Sequence, residues 1–155
     1  MGVGKSTVAP LVAEALSLSA VDLDGAVVAR AGRSVAELFA AEGETGFRAR
    51  EASAVSALCM GPPVVVSLGG GTLHSEDNLT RLRARFRIFV LHAEWPELER
   101  RLREDQSATR PLLGRARSLY QARLAGYQQA GTVIDVTRLS PAEAAAAIVG
   151  HLEAR

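Results

Sequence analysis

The run Gly2-Val3-Gly4-Lys5-Ser6-Thr7, at the entrance to the first predicted helix, constrains this chain more than any other feature. It matches the end of the pattern Gly-x-x-x-x-Gly-Lys-Ser/Thr, with one Thr added. Glycines let backbone N–H groups turn inward without a Cβ in the way. The start of a helix adds partial positive charge. Together they form a cradle for phosphate oxygens. Lys5 can reach the β- and γ-phosphates as a mobile point charge, Ser6 can offer its hydroxyl to Mg²⁺, and Thr7 completes the turn. The bland alternative is a Gly-rich helix start with an ordinary surface lysine. Composition weighs against it: among 18 basic residues Lys5 is the sole lysine, and the rest are arginine. Behind the loop, Val8, Leu11, Val12, Ala15 and Leu16 recur at helical spacing.

The rest of the composition narrows the class. A chain of 155 residues fits one domain. With 48% apolar and 23% charged residues it is neither a disordered tail nor a fibre. A net charge of +1 gives no electrostatic case for nucleic acid or an anionic membrane. A single cysteine, Cys59, excludes an internal disulfide framework and a Cys-rich zinc site. His74, His92 and His151 are scattered, without metal-ligand spacing. No apolar run reaches the roughly 18 residues of a membrane span. No charged segment followed by an apolar one opens the chain, as a secretory signal would. The expectation is a soluble intracellular protein.

Pattern and punctuation predict helices over 5–17, 25–31, 34–41, 45–60, 75–84, 96–104, 116–129 and 141–153. Ser34 with Glu37 three residues on is a capping-box pattern. Strands are predicted at 20–23, 64–68, 86–92 and 132–136, and a polar loop at 105–114. Val64-Val65-Val66-Ser67-Leu68 is a β-branched run of the kind buried on both faces of a parallel sheet. Strands alternating with helices predict an α/β fold whose mostly parallel sheet is covered on both faces.

Several groups sit where such folds place ligands. Asp22-Leu23-Asp24 ends a predicted strand, and alternation along an extended chain would point both carboxylates to one side. One could hold Mg²⁺ through water and the other bind or deprotonate a hydroxyl; a helix N-cap pair is the alternative. Arg48 and Glu51 are spaced for an ion pair on one helix face, which would orient the guanidinium or merely decorate the surface. Gly69-Gly70-Gly71 follows a predicted buried strand, where such flexibility is costly unless a ligand approaches the bare N–H groups. Arg110-Pro111-Leu112-Leu113 follows the polar loop, which could be a lid that brings Arg110 over transferring phosphate.

Taken in order, these blocks resemble the shikimate kinase family across essentially the whole chain. The blocks are Gly4-Lys5-Ser6-Thr7, Asp22-Leu23-Asp24, Gly32-Arg33-Ser34-Val35-Ala36-Glu37-Leu38-Phe39, Gly43-Glu44-Thr45-Gly46-Phe47-Arg48-Ala49-Arg50-Glu51, Gly69-Gly70-Gly71 and Arg110-Pro111-Leu112-Leu113. The resemblance implies a three-layer P-loop kinase fold with a parallel sheet ordered 2-3-1-4-5, in one domain spanning 1–155 with a lid at about 104–116. It implies transfer of the ATP γ-phosphoryl group to the 3-hydroxyl of shikimate, with Mg²⁺. It implies roles residue by residue. Gly2, Gly4, Lys5, Ser6 and Thr7 would hold the nucleotide phosphates, Lys5 would stabilise the transferring group, and Ser6 and (through water) Asp22 would hold Mg²⁺. Asp24, Arg48, Gly69, Gly70, Gly71 and Arg123 would hold shikimate, with Phe39 and Phe47 walling its apolar side. Arg110 would close from the lid, and Arg103 would contact adenine.

The chain departs from the family pattern at three places. Arg123 is followed by Leu-Ala-Gly-Tyr instead of the common Arg-x-Pro-Leu-Tyr run, and Val136-Thr137-Arg138-Leu139-Ser140-Pro141 fits the adenine side loosely. Met1 overlays the interior of the family's phosphate-loop motif, so the first strand and first loop glycine are expected to be missing, with Met1 an internal methionine taken as a start. Two other readings remain at this stage. One is another P-loop small-molecule kinase, for gluconate or a nucleoside monophosphate. The other is a nucleotide-binding protein without catalysis.

Overall fold

Two parallel strand pairs organise the computed structural model, which describes residues 2–104 and 113–154. Ala13–Arg87 pack as one compact unit, and the segments before and after it pack as another. α1 (Lys5–Ala15) opens the chain directly behind the glycine loop.

In the Ala13–Arg87 unit, β1 (Ser19–Asp22) pairs in parallel with β2 (Val64–Ser67), with Ser19 opposite Val64 and Asp22 opposite Ser67. Parallel pairing needs a crossover. Here α2 (Leu23–Ala31) and α3 (Val35–Met60) supply it, and α4 (Glu76–Arg85) follows β2. Leu23 and Val27 of α2, Leu38, Phe47, Ala54 and Val55 of α3, and Leu82 of α4 are buried. Ser34 caps α3 with the predicted capping box: its hydroxyl accepts from the Glu37 N–H, and Glu37 reaches back to the Ser34 N–H at 2.7 Å.

The second unit repeats the scheme. β3 (Phe89–His92) pairs in parallel with β4 (Thr132–Asp135), Phe89 opposite Thr132 and His92 opposite Asp135. α5 (Trp95–Glu104) and α6 (Leu113–Ala130) lie between them in the chain, and α7 (Pro141–Glu153) closes it. Val90, Ala93, Leu98, Ile134, Val136, Ala144 and Ile148 are buried. Tyr120 ties α6 to the end of β3: its hydroxyl donates to the Ala93 carbonyl at 2.8 Å and lies 2.7 Å from His92 Nδ1. Burial, and then the Asp135 charge, push the Tyr120 pKa up. Ser140 and Glu143 form a second capping box.

The α/β class with parallel strands is as predicted, and the described strands form two separate parallel pairs. No strand precedes α1 among the described residues. Details differ, each for a local reason. The predicted helices at 34–41 and 45–60 are the two segments of α3, which is broken at Gly43, where φ of 67° and ψ of −174° are non-helical. The predicted strand at 86–92 begins at Phe89, because the Phe86 N–H still caps α4 on the Leu82 carbonyl at 2.7 Å. Val64, Val65 and Val66 are half-buried, since β2 has a paired neighbour on one edge only. Asp22 and Asp24 do not alternate along a strand: β1 stops at Asp22 and α2 starts at Leu23. Asp22 caps α2, accepting from the Gly25 N–H at 2.8 Å. The predicted lid lies largely outside the described residues.

The capping boxes give a pH dependence. Hydrogen bonds from Ser34 and Ser140 hold the carboxyls of Glu37 and Glu143 below their ordinary value of 4.5. Lowered folded values mean that this stabilisation is fully present above 4.5 and is lost as pH falls through the folded values. Urea titrations of the wild type should therefore show the midpoint falling below about pH 4.5. Ser34→Ala with Ser140→Ala should start from a lower midpoint and lose less of it on acidification.

Candidate active site

The glycine loop has the shape its sequence requires. Gly2 and Gly4 take φ of 70° and 93°, in the region glycine adopts freely. The Gly4 carbonyl accepts from the Thr7 and Val8 N–H groups at 3.1 and 2.9 Å, so the helix starts at once and its remaining N-terminal donors face outward. The loop opens on a cleft of about 740 Å³ in the same unit. α5 contributes Glu97, Arg100 and Arg101 to the lining, and the stretch after β4 contributes Val136 to Pro141. The loosely matching Val136-to-Pro141 stretch thus lines the same cleft as the phosphate loop.

Ion pairs build the α5 wall. Arg101 donates to Glu97 Oε1 at 2.7 Å and to the Val136 carbonyl at 3.1 Å, tying the helix to the strand end. Arg100 reaches both Glu97 and Glu104, at 2.8 and 2.7 Å. Hydrogen bonds from Arg100 and then Arg101 hold the Glu97 carboxyl down to about 2. Thr137 stiffens the next turn: its hydroxyl donates to Asp135 Oδ1 at 2.6 Å and accepts from the Glu94 N–H at 3.0 Å. Arg103 stands outside the cleft lining, exposed and paired with Glu99 at 2.8 Å.

A second cluster lies in the Ala13–Arg87 unit and is organised by one buried acid. Glu51 is 1% exposed. Its Oε2 accepts from Arg48 Nη1 at 3.1 Å, and its Oε1 accepts from the Thr72 hydroxyl at 2.7 Å. Thr72 is fully buried and follows the three glycines directly. Arg48 also reaches Glu44 at 3.3 Å. Burial works against the Arg48 charge, and the hydrogen bonds and charges of Glu51 and Glu44 outweigh it, raising its pKa. The guanidinium lies against Gly71, where a Cβ would come within 2.6 Å of Arg48 Nη1. Gly69 is equally constrained: a Cβ would come within 2.6 Å of Asp24 Oδ1. The triple glycine therefore admits two charged side chains to its backbone. Phe39 and Phe47 stack with ring centroids 4.7 Å apart, and the Arg48 guanidinium carbon sits 5.5 Å above the Phe47 ring.

The structure thus brings together Asp24, Arg48, Gly69, Gly71, Phe39 and Phe47 in one unit, and Gly2, Gly4, Lys5, Ser6 and Thr7 on the cleft of the other. Asp22 faces its own helix start. Arg123 falls on α6. Arg110 lies outside the described residues. Sequence reasoning missed Thr72, Glu97 and Arg101. Each had a signal: Thr72 directly follows the glycines, and Glu97 precedes Arg100 and Arg101 at the three- and four-residue spacings of one helix face.

An α/β fold, a phosphate loop opening a helix and a separate cationic pocket walled by aromatic rings define a phosphate-loop small-molecule kinase. A family model for shikimate kinase matches residues 1–153. The shikimate kinase of Symbiobacterium thermophilum is 41% identical, over 100% of this chain and 93% of that protein. That of Geobacter metallireducens is 39% identical, over 100% and 89%. The solved structure of shikimate kinase from Acinetobacter baumannii in complex with shikimate superposes with a TM-score of 0.88 at 27% identity, covering 99% of this chain and 89% of that one. Shikimate kinase from Bacteroides thetaiotaomicron superposes equally well, at 0.88 and 27%, covering 99% and 94%. The chain belongs to the shikimate kinase family.

The Glu51 network makes a stability prediction. Thr72→Val keeps the side-chain shape but removes the donor to a buried carboxylate, which should cost about 1–3 kcal/mol. Thr72→Ser keeps the hydroxyl and should recover most of that loss in urea denaturation.

Proposed function

We propose that this chain catalyses the reaction of its family, ATP-dependent phosphorylation of shikimate, at the 3-hydroxyl. The observation that carries the reading is the Arg48 pocket. A guanidinium anchored by a buried carboxylate and laid against a bare glycine backbone presents a fixed fork to a planar anion, and such forks pair bidentately with carboxylates. The stacked Phe39 and Phe47 offer an apolar wall for a carbon ring. The guanidinium fork has no planar anion to pair with in a nucleobase or an uncharged sugar. Asp24, held against Gly69, supplies an acceptor for a ring hydroxyl. In this reading it orients the attacking oxygen and takes its proton. The amides of Gly70 and Gly71 complete the acceptor's contacts in this unit; the family resemblance adds Arg123, whose side chain lies outside the described residues.

On the nucleotide side, the glycine loop holds the phosphates on its N–H groups, and Lys5 neutralises charge on the transferring phosphoryl group. Phosphoryl transfer needs alignment and charge neutralisation more than covalent chemistry. The donor set suits Mg²⁺ that arrives on the phosphates. No group of three or more His, Cys, Asp or Glu side chains forms a metal cage among the described residues, whereas Mg²⁺ with a nucleotide needs only one or two hard protein oxygens. The Ser6 hydroxyl at the helix start is such an oxygen, and Asp22 serves through water. When bound, Mg²⁺ screens the charge of the β- and γ-phosphates. Arg110 closes over the phosphates from a lid at about 104–116, and Arg100 and Arg101 join Arg103 as candidate contacts on the adenine side. The same reading has residues 1–155 working as one domain, a cytoplasmic monomer without nucleic-acid or membrane partners. The near-neutral charge gives no electrostatic attraction to nucleic acid or an anionic membrane, and no described helix is long and apolar enough to cross a membrane.

Coupled ADP release with ATP, Mg²⁺ and shikimate tests the assignment. The wild type should release ADP only when shikimate is present. Lys5→Met should lower kcat by about 10²–10³-fold, the range for one preorganised transition-state donor. Release driven by gluconate or a nucleoside monophosphate, with none from shikimate, would reassign the acceptor.

A further inference from the structure

The kink in α3 divides the acceptor pocket. Phe39 precedes Gly43, while Phe47, Arg48 and Glu51 follow it. Phe39 therefore keeps its place against Phe47 and the guanidinium only if the kink keeps its angle. Kinks in helices have identifiable causes, and glycine is a common one. A glycine kink with nothing across it would be a soft joint, because glycine adds the most backbone freedom.

This kink is bridged. Arg50, beyond it, donates from Nε to Glu42 Oε2 and from Nη2 to Glu42 Oε1, each at 2.8 Å. The two bonds are parallel, so the pair fixes direction as well as distance. The pair spans eight residues, far beyond the three or four of an ordinary helix-surface pair. Gly46 makes the approach possible, since a Cβ there would overlap Glu42 Cβ and lie 3.1 Å from its Oε2. Gly43, with φ of 67°, makes the bend itself. Three features thus cooperate at one joint: a left-handed glycine to turn the chain, a second glycine to admit the acid, and a guanidinium fork to lock it. What they set is the relation between the two helix segments that carry those residues.

We propose that Glu42 and Arg50 are positioning residues for the acceptor: their fork holds the α3 kink and so sets the place of Phe39 against Phe47 and the Arg48 guanidinium. The inference rests on the assignment of that pocket to shikimate. It is specific to substrate geometry, because the fork leaves the phosphate loop and its cleft untouched. Released, the kink would let Phe39 drift from Phe47, and the acceptor would lose the match between its ring and its carboxylate.

Steady-state kinetics of the full chain separate this role from a merely structural one. Glu42→Gln and Arg50→Met should each raise the KM for shikimate about fivefold, the upper range for an exposed ion pair, with kcat and the KM for ATP within about twofold. Gly46→Ala, which displaces Glu42, should move the same constant in the same direction. The charge-reversed double variant, Glu42→Arg with Arg50→Glu, should return most of the loss. Unchanged KM for shikimate in the single variants would overturn the proposal. So would equal rises in both substrates' KM, or a double variant no better than either single. A wild-type chain that neither binds nor phosphorylates shikimate would instead overturn the acceptor assignment on which the proposal rests, and that failure is seen before any variant is compared.

Discussion

A carboxylate out of water must be met by donors or the fold loses more than the burial gains. Glu51 is that carboxylate, and much of its unit follows from satisfying it. One oxygen takes the Arg48 guanidinium, and the other takes the Thr72 hydroxyl. Because Thr72 follows the triple glycine, the second bond fixes the turn after β2 against the middle of α3. Because Arg48 lies on Gly71, the first bond brings a positive charge to a backbone that no side chain shields. Burial thus makes a surface-type ion pair into a fixed cation. An exposed pair at the same spacing would contribute little and hold nothing in place.

The same economy of position recurs at the strand ends. In parallel sheets, ligands gather beyond the carboxyl ends of the strands. Asp22 and Ser67 end one pair in register, and Asp24 and the glycines follow directly. His92 and Asp135 end the other, and Glu94 and Thr137 follow, joined by a hydrogen bond of 3.0 Å. The acceptor residues of one unit and the Val136-to-Pro141 wall of the cleft in the other thus sit just past a two-strand platform, while the phosphate loop lies ahead of α1. Short strands suffice because the turns are locked by side chains: Glu51 in one unit, Asp135 and Arg101 in the other.

The elements were legible where one local signal dominated. The capping boxes at Ser34 and Ser140, the Val64 run and the alternation of strand and helix sufficed for the class. Boundaries blurred where two signals competed. At Gly43 a glycine reads as a helix end, and the helical backbone does break there, with the Glu42–Arg50 pair bridging the two segments. At Asp22 and Asp24 strand alternation competed with helix capping, and capping won because Asp22 could satisfy an orphan N–H of α2. The charged residues of the site were visible in type and spacing. Their burial was not, since nothing local to Glu51 says that Thr72, 21 residues away, will cover it. Long-range partners such as Arg101 and the Val136 carbonyl are products of the fold, and no window of sequence contains both.

The central claim is that the pocket recognises a ring through its carboxylate, held by Arg48 on its buried anchor. Calorimetric titration of the wild type with shikimate and with its methyl ester tests it most directly, because the ester keeps the ring and hydroxyls and loses only the charge. The account predicts binding of the ester weaker by at least about tenfold, the scale of one charge-assisted hydrogen-bond pair. Equal affinity for the two would contradict it.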